Sequence, residues 1–263
     1  MFTKAFFSYV FLATAALAAP RGSGLASRLA RRAAGTHRSQ PLKAVEHSTG
    51  TDVSNVVYSG NWAGAVYAEP SGTFTAVTGT FTVPTPSAPG GGGGSYSASA
   101  WVGIDGDTCG NAILQTGLDF TVSGGSVSYD AWYEWYPDYA HDFSGISFSA
   151  GDSVQVNVTA SSTTSGTAVI KNLSTGQTVT QDLSSSYALC EENAEWIVED
   201  YEEGDSLVAF ADFDIVTFRN AYATYASGET TGPSDATLIV IQQNSVVLTS
   251  ASTNSSSVTV TYV

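Results

Sequence analysis

From position 53 to the C-terminus, apolar side chains recur with a period of two. This constrains the fold more than any other feature of the chain. Across residues 152–159, Val154, Val156 and Val158 alternate with Gln155, Asn157 and Thr159. Successive side chains of a strand point to opposite faces, so this pattern describes a strand with one buried side. The same reading predicts strands at 74–83, 99–104, 112–120, 126–136, 194–201, 206–213, 236–242 and 257–263. Residues 173–177 (Leu-Ser-Thr-Gly-Gln) read as a hairpin turn between strands at 168–172 and 178–183. No stretch of this region has the spacing of an amphipathic helix. Many short strands, each with one apolar face, need a second sheet to cover them. The expected fold class is therefore all-β, a two-sheet antiparallel β-sandwich.

Charge divides the chain in two. The 263 residues carry 24 Asp and Glu against 9 Lys and Arg. Seven of the basic residues precede position 44, so from Val53 onward only Lys171 and Arg219 face 22 acids, a net charge of −20. Residues 19–52 carry six basic and two acidic residues, net +4. Such a balance excludes a nucleic-acid binder and a protein that docks on anionic membranes, both of which need clustered cations. At the N-terminus Lys4 precedes an apolar run, 5–18, that closes on Ala16-Leu17-Ala18. A short apolar segment with a small-x-small end describes a signal peptide, here 1–18, and it is too short for a membrane anchor. Secretion follows. The basic 19–52 segment, with Arg31-Arg32 as a candidate dibasic processing site, is expected to be a propeptide that docks on the acidic domain, 53–263. It is expected to let go when carboxylates protonate.

Three His (His37, His47, His141) and two Cys (Cys109, Cys190) leave little for metal chemistry, and no metal or cofactor is expected. Two cysteines in a secreted domain are expected to pair, with a catalytic thiol as the rival. His141 is the one His beyond position 52, and no nucleophile elbow accompanies it, which argues against Ser or Cys catalysis. Gly90–Gly94, after Pro84, Pro86 and Pro89, reads as a surface loop. Asn157, Asn172 and Asn254 each head a glycosylation sequon.

Strand parity gathers an unusual set of side chains. In 126–136 one face carries Ser128, Asp130, Trp132, Glu134 and Tyr136. In 112–120 Ile113, Gln115, Gly117 and Asp119 share a face; in 194–201 Glu195, Ile197, Glu199 and Tyr201 do. Trp101 and Asp105 join them if the preceding strand keeps its alternation. These faces are too polar for a core and too aromatic for plain solvent, as suits a concave ligand-binding sheet. Pattern alone leaves acid proteolysis, glycoside hydrolysis and carbohydrate binding open.

The motifs Trp101-Val102-Gly103-Ile104-Asp105-Gly106-Asp107-Thr108-Cys109 and Ala112-Ile113-Leu114-Gln115-Thr116-Gly117 resemble those of the glutamic peptidases, the eqolisins. So do Tyr129-Asp130-Ala131-Trp132-Tyr133-Glu134-Trp135-Tyr136-Pro137, Asn193-Ala194-Glu195-Trp196-Ile197-Val198-Glu199-Asp200, Asn61-Trp62-Ala63-Gly64 and the closing Tyr262-Val263. The resemblance implies a concanavalin A-like, jelly-roll type sandwich. It also implies a pepstatin-insensitive acid endopeptidase, secreted as a preproprotein and acting on polypeptide substrates. Apart from the resemblance, a monomer is expected, since nothing in the sequence suggests more, and the docking propeptide is its expected inhibitor. It places the catalytic pair on Gln115 and on Glu199, not Glu195. Trp101, Asp105, Asp119, Asp130, Trp132, Glu134 and Tyr136 then line the cleft or support the pair, and Cys109–Cys190 matches the family disulfide. In this scheme Glu199 activates water and then protonates the leaving amine, while the Gln115 amide, neutral at any acid pH, stabilises the oxyanion.

Overall fold

The computed structural model of the chain describes residues 37–46 and 56–263. The expected signal peptide and most of the expected propeptide lie outside these residues. Twenty strands run through the described residues. The first eight are β1 (His37–Arg38), β2 (Val56–Ser59), β3 (Trp62–Ala68), β4 (Phe74–Thr82), β5 (Ser95–Ile104), β6 (Ile113–Ser123), β7 (Ser126–Tyr136) and β8 (His141–Asp142). β9 (Ser153–Ser162), β10 (Ser165–Asn172), β11 (Gln177–Ser184), β12 (Asn193–Glu199), β13 (Glu202–Glu203) and β14 (Ser206–Leu207) follow. The last six are β15 (Ile215–Tyr225), β16 (Thr230–Thr231), β17 (Thr237–Gln243), β18 (Val246–Val247), β19 (Thr249–Asn254) and β20 (Ser257–Tyr262).

Two large sheets result, as the alternation requires. The front sheet has the order β18-β17-β3-β12-β5-β6-β7-β8, with β2 added in parallel on β17. The back sheet has the order β11-β10-β9-β4-β15-β20-β19, with β16 on β15. Between them lies the main core. The back sheet contributes Phe74, Phe81, Val154, Val156, Val158, Phe218 and Val260, and the front sheet Ala98, Ala100, Val102, Leu118, Phe120 and Val198. Burial of each Val, Leu or Phe is worth about 1.5–3 kcal/mol. Small alanines on the front sheet leave room for Trp196, whose indole N–H crosses to the carbonyl of Thr78 on the back sheet (2.8 Å). A sandwich of this kind is what the period-two reading predicted.

The sequence reading departs from the structure at 206–213 and omits β2, β3, β15 and β19; β3 is buried at six of its seven positions, so it shows no alternation. The predicted strand at 206–213 is a strand only at β14; Phe210 and Asp212 make isolated bridges. Its apolar run, Leu207 to Ala211 with Phe213, is loop that tucks Phe210 and Phe213 against each other and against Tyr262. The eleven-residue β15 escapes notice because its alternation slips. Asn220 adopts φ 49° and the register against β4 shifts between Arg219 and Tyr222, a bulge after which Ala221 and Ala223 replace Val216 and Phe218 as the inward series.

Cys109 and Cys190 form a disulfide, 81 residues apart, that ties the β5–β6 connection to the segment entering β12. A loop of this length places the chain-entropy stabilisation at about 4 kcal/mol. Replacing both cysteines by Ser is expected to lower stability by roughly that amount in urea denaturation; an unchanged midpoint would show that the crosslink adds nothing.

Candidate active site

The other face of the front sheet carries a second apolar cluster, Trp62, Val66, Trp101, Ile113, Trp132, Ile197 and Ile239, with Tyr136 packed on it. Buried polar groups stand among these residues in rows fixed by strand register. One row runs Glu195 (β12), Gly103 (β5), Gln115 (β6), Glu134 (β7). The next holds Ile197, Trp101, Gly117 and Trp132, and the third Glu199, Ser99, Asp119 and Asp130. Gln115, Glu134, Glu195, Glu199 and Asp119 are fully buried, and Asp130 nearly so.

Trp101 links the outer rows. Its indole Nε1–H donates to Glu199 Oε2 (2.9 Å), while its ring edge reaches back over Gly103. Gly117 is what admits it, since a Cβ there would stand 2.4 Å from Trp101 Cβ. Trp62 packs edge-on against Trp101 at 5.0 Å. Trp132 donates to Ser99 Oγ (3.0 Å), which fixes the floor beside Glu199.

An extended segment, 37–46, crosses this face. Ser39 Oγ donates to Glu199 Oε2 (2.6 Å) and Gln40 N–H to Glu199 Oε1 (3.0 Å). Ser39 N–H donates to Glu134 Oε2 (3.1 Å), so one residue of the segment touches carboxylates from the first and third rows. Asn61 clamps the segment from the side. Its Nδ2 donates to the carbonyls of Gln40 and Pro41, and its Oδ1 accepts Lys43 N–H. β1 pairs with β13, and Leu42 N–H bonds the carbonyl of Gly106. Charge assists at the ends: His37 Nε2 lies 3.0 Å from Asp119 Oδ2, and Lys43 pairs with Glu202. The His37 ring packs tilted against Tyr201, with centroids 4.3 Å apart. The segment docks mainly through backbone bonds, whereas the sequence reading stressed its net charge.

Asp105 belongs to the scaffold of the site. It adopts φ 71°, and its carboxylate accepts the N–H groups of Cys190, Glu191, Glu192 and Asn193, where the chain enters β12. Asp105, Cys109 and Cys190 converge, but both sulfurs are joined and both carboxylate oxygens are engaged, so the trio offers no set of metal ligands. Of the residues singled out from sequence, Gln115, Glu199, Trp101, Asp119, Asp130, Trp132, Glu134 and Tyr136 share this face. Gly117 and Tyr201, which parity put on these faces, lie here too; Asn61 and Ser99 were not singled out as site parts, nor was the place where the basic segment crosses. Asn61 lies in the Asn61-Trp62-Ala63-Gly64 motif and needed only the register to be placed.

Burial dominates the protonation of the site. It raises Glu199 to about 8, against the hydrogen bonds from Ser39, Gln40 and Trp101 that favour the carboxylate. It raises neighbouring Asp200 to about 7, with Gln243 and Lys43 opposing, and pushes Glu195 well above the ordinary range.

The peptidase A4 model matches residues 60–262. The chain belongs to the peptidase A4 family, the eqolisins. Family membership makes it a peptidase, a hydrolase, and sets aside the sugar-cleaving and sugar-binding alternatives. Among curated relatives, aspergillopepsin-2 of Aspergillus niger is 54% identical over 275 residues, covering 95% of this chain and 96% of its own length. Scytalidopepsin B of Scytalidium lignicola is 43% identical over 270 residues, covering 99% and 98%. The crystal structure of scytalido-glutamic peptidase with a transition state analog inhibitor superposes with a TM-score of 0.71 at 44% identity, over 78% of this chain and 98% of that one.

A carboxyl group raised in the folded state holds a proton that the unfolded chain has released above about pH 4. Folding then favours acid, and the stability contributed by Glu199 and Asp200 is present in full below that pH and lost as pH rises through about 7 and 8. Asp152, half-buried and held low by Ser149 and Asn172, opposes this weakly. The melting temperature of the full chain is therefore expected to fall from acid to neutral pH, with a shallower slope in Glu199→Gln. A melting temperature climbing toward neutral pH would contradict the assignment.

Proposed function

We propose that the protein is a secreted, pepstatin-insensitive acid endopeptidase in which Glu199 and Gln115 carry the reaction and residues 19–52 hold it latent. The observation that carries this reading is that both oxygens of the buried Glu199 carboxyl engage an extended peptide, at Ser39 and Gln40. With a substrate in that place, the Glu199 carboxylate takes a proton from water as the water oxygen bonds to the scissile carbonyl carbon. The Gln115 Nε2–H donates to the carbonyl oxygen as negative charge develops there. Glu199 then returns the proton to the amide nitrogen as the C–N bond breaks. Burial makes Glu199 a stronger base, and displacing the segment readmits water and brings its pKa back toward the acid range. A neutral amide beside one carboxyl differs from the paired carboxylates of an aspartic dyad. That difference supports insensitivity to an inhibitor shaped for such a dyad.

Latency follows from occupancy. Ser39 Oγ–H, Gln40 N–H and the Trp101 indole use both oxygens of Glu199, leaving neither to activate water. Lys43 to Glu202 and His37 to Asp119 add ties at the two ends of the segment. Secretion is supported by the N-terminal leader pattern and by the disulfide, which suits an oxidising compartment. Among the described residues no helix is long and apolar enough to cross a membrane.

With pepstatin present, hydrolysis of an unstructured protein at acid pH is expected to fall about 10²–10³-fold in Gln115→Ala and about 10²–10⁴-fold in Glu199→Gln, both still folded. Retained cleavage in either variant would break the residue assignment. A synthetic peptide of residues 37–46, added to processed enzyme, is expected to inhibit, and to inhibit less when His37 and Lys43 are both Ala. No inhibition at any pH would remove the latency reading.

A further inference from the structure

The row that holds Gln115 contains a group the reaction above does not use. Glu195 and Gln115 flank Gly103 on either side in the sheet register. Gly103 takes away the one side chain that would separate them: a Cβ there would stand 2.7 Å from Glu195 Oε1 and 3.4 Å from Gln115 Cβ. The Glu195 carboxyl thus leans over Gly103 toward the strand that carries Gln115. Both side chains are 0% exposed, and neither carboxyl oxygen of the one nor either amide atom of the other has a hydrogen-bond partner among the described residues. Leaving such atoms unpaired in a dry site is costly, because they have given up water without a replacement partner. Adjacent groups with complementary donors and acceptors relieve that cost by pairing, directly or through one water. The segment 37–46 sends its Ser39 and Gln40 bonds to Glu134 and Glu199 and leaves this pair alone.

We propose that Glu195 is the positioning residue for Gln115: its protonated carboxyl donates to Gln115 Oε1, which turns Nε2 toward the substrate carbonyl oxygen. When Glu195 ionises, it accepts from Nε2 instead and withdraws the oxyanion donor. An amide can turn about its last torsion to present either atom, so the protonation state of one carboxyl selects between a competent and an incompetent Gln115. The surroundings hold Glu195 in the donating form. Burial acts first, and Asp105 and Asp107 at the end of β5 add to it. On β3 its register partner is the apolar Val66; across the row stands Glu134, and further along β12 stands Glu199. All the ionisable groups among these are carboxyls, so each favours the proton on Glu195. The proposal rests on Gln115 as oxyanion donor.

The test is the pH dependence of kcat and KM on an unstructured protein, with full chains processed identically. The variants are Glu195→Gln, Glu195→Leu, Gln115→Ala and the double variant Gln115→Ala/Glu195→Leu. Glu195→Gln donates to Oε1 at every pH, and is expected to keep kcat in acid and to move the falling limb of the profile to higher pH. Glu195→Leu is expected to lose about 10²-fold in kcat with KM little changed. The double variant is expected to be no slower than Gln115→Ala, since Glu195 acts through Gln115 alone. A wild-type pH profile in Glu195→Gln would overturn the proposal, as would additive losses in the double variant. If Glu195→Leu fails to fold, the Glu195→Gln profile decides. Full activity in Gln115→Ala would instead remove the Gln115 assignment itself. Loss there, with both Glu195 variants unaffected, would remove only the positioning role.

Discussion

The site depends on one carboxylate that takes no part in the proposed chemistry. Asp105 gathers four consecutive backbone N–H groups, from Cys190 to Asn193, at the point where the chain turns into β12. Asn193 answers in kind, its side-chain oxygen accepting the N–H groups of Asp107, Thr108 and Cys109. The disulfide closes the same junction. Two loops that would otherwise drift are thereby locked together, and the phase of β12 is set from its first residue. Every second residue from there, Glu195, Ile197 and Glu199, must then face the same side of the sheet.

The front sheet consequently has two interiors. One face closes on the back sheet with Ala, Val, Leu and Phe; the other is equally dry but holds carboxyls, an amide and tryptophans. Burial of that second face comes partly from 37–46, which bonds across it by main-chain and side-chain groups. Dryness both raises the carboxyl pKa values and strengthens each hydrogen bond made there. One physical cause therefore links the acid-favouring stability of the fold to the protonation chemistry of the site.

Much of this was legible in the sequence because period two is a direct consequence of strand geometry. Parity placed Gln115, Asp119, Asp130, Trp132, Glu134, Glu195 and Glu199 on common faces before any sheet order was known. Parity cannot say which strands are neighbours, so the row that sets Glu195 beside Gln115 became visible only with the pairing of β12, β5 and β6. Assigning roles within those faces needed family motifs, since carboxyls on strands look alike in pattern. β15 was lost because Asn220 inserts one residue and reverses the phase, while 206–213 resembled a strand because it is a short apolar run, Leu207 to Ala211 with Phe213. The Ser39–Gln40 contacts with Glu199 had no local signal: partners 160 and 159 residues apart meet through tertiary fold alone.

The placement of these residues in strand interiors, four strands wide, has a consequence for how such an enzyme can diversify. A one-residue insertion or deletion within β6, β7 or β12 would turn its polar series into the core and its apolar series outward. Change in preference must therefore come by replacement at fixed positions, or by length variation in connections such as the glycine-rich turn before β5. Lineages of this architecture should keep strand lengths constant and vary their loops, the reverse of folds whose reactive groups sit on the loops themselves.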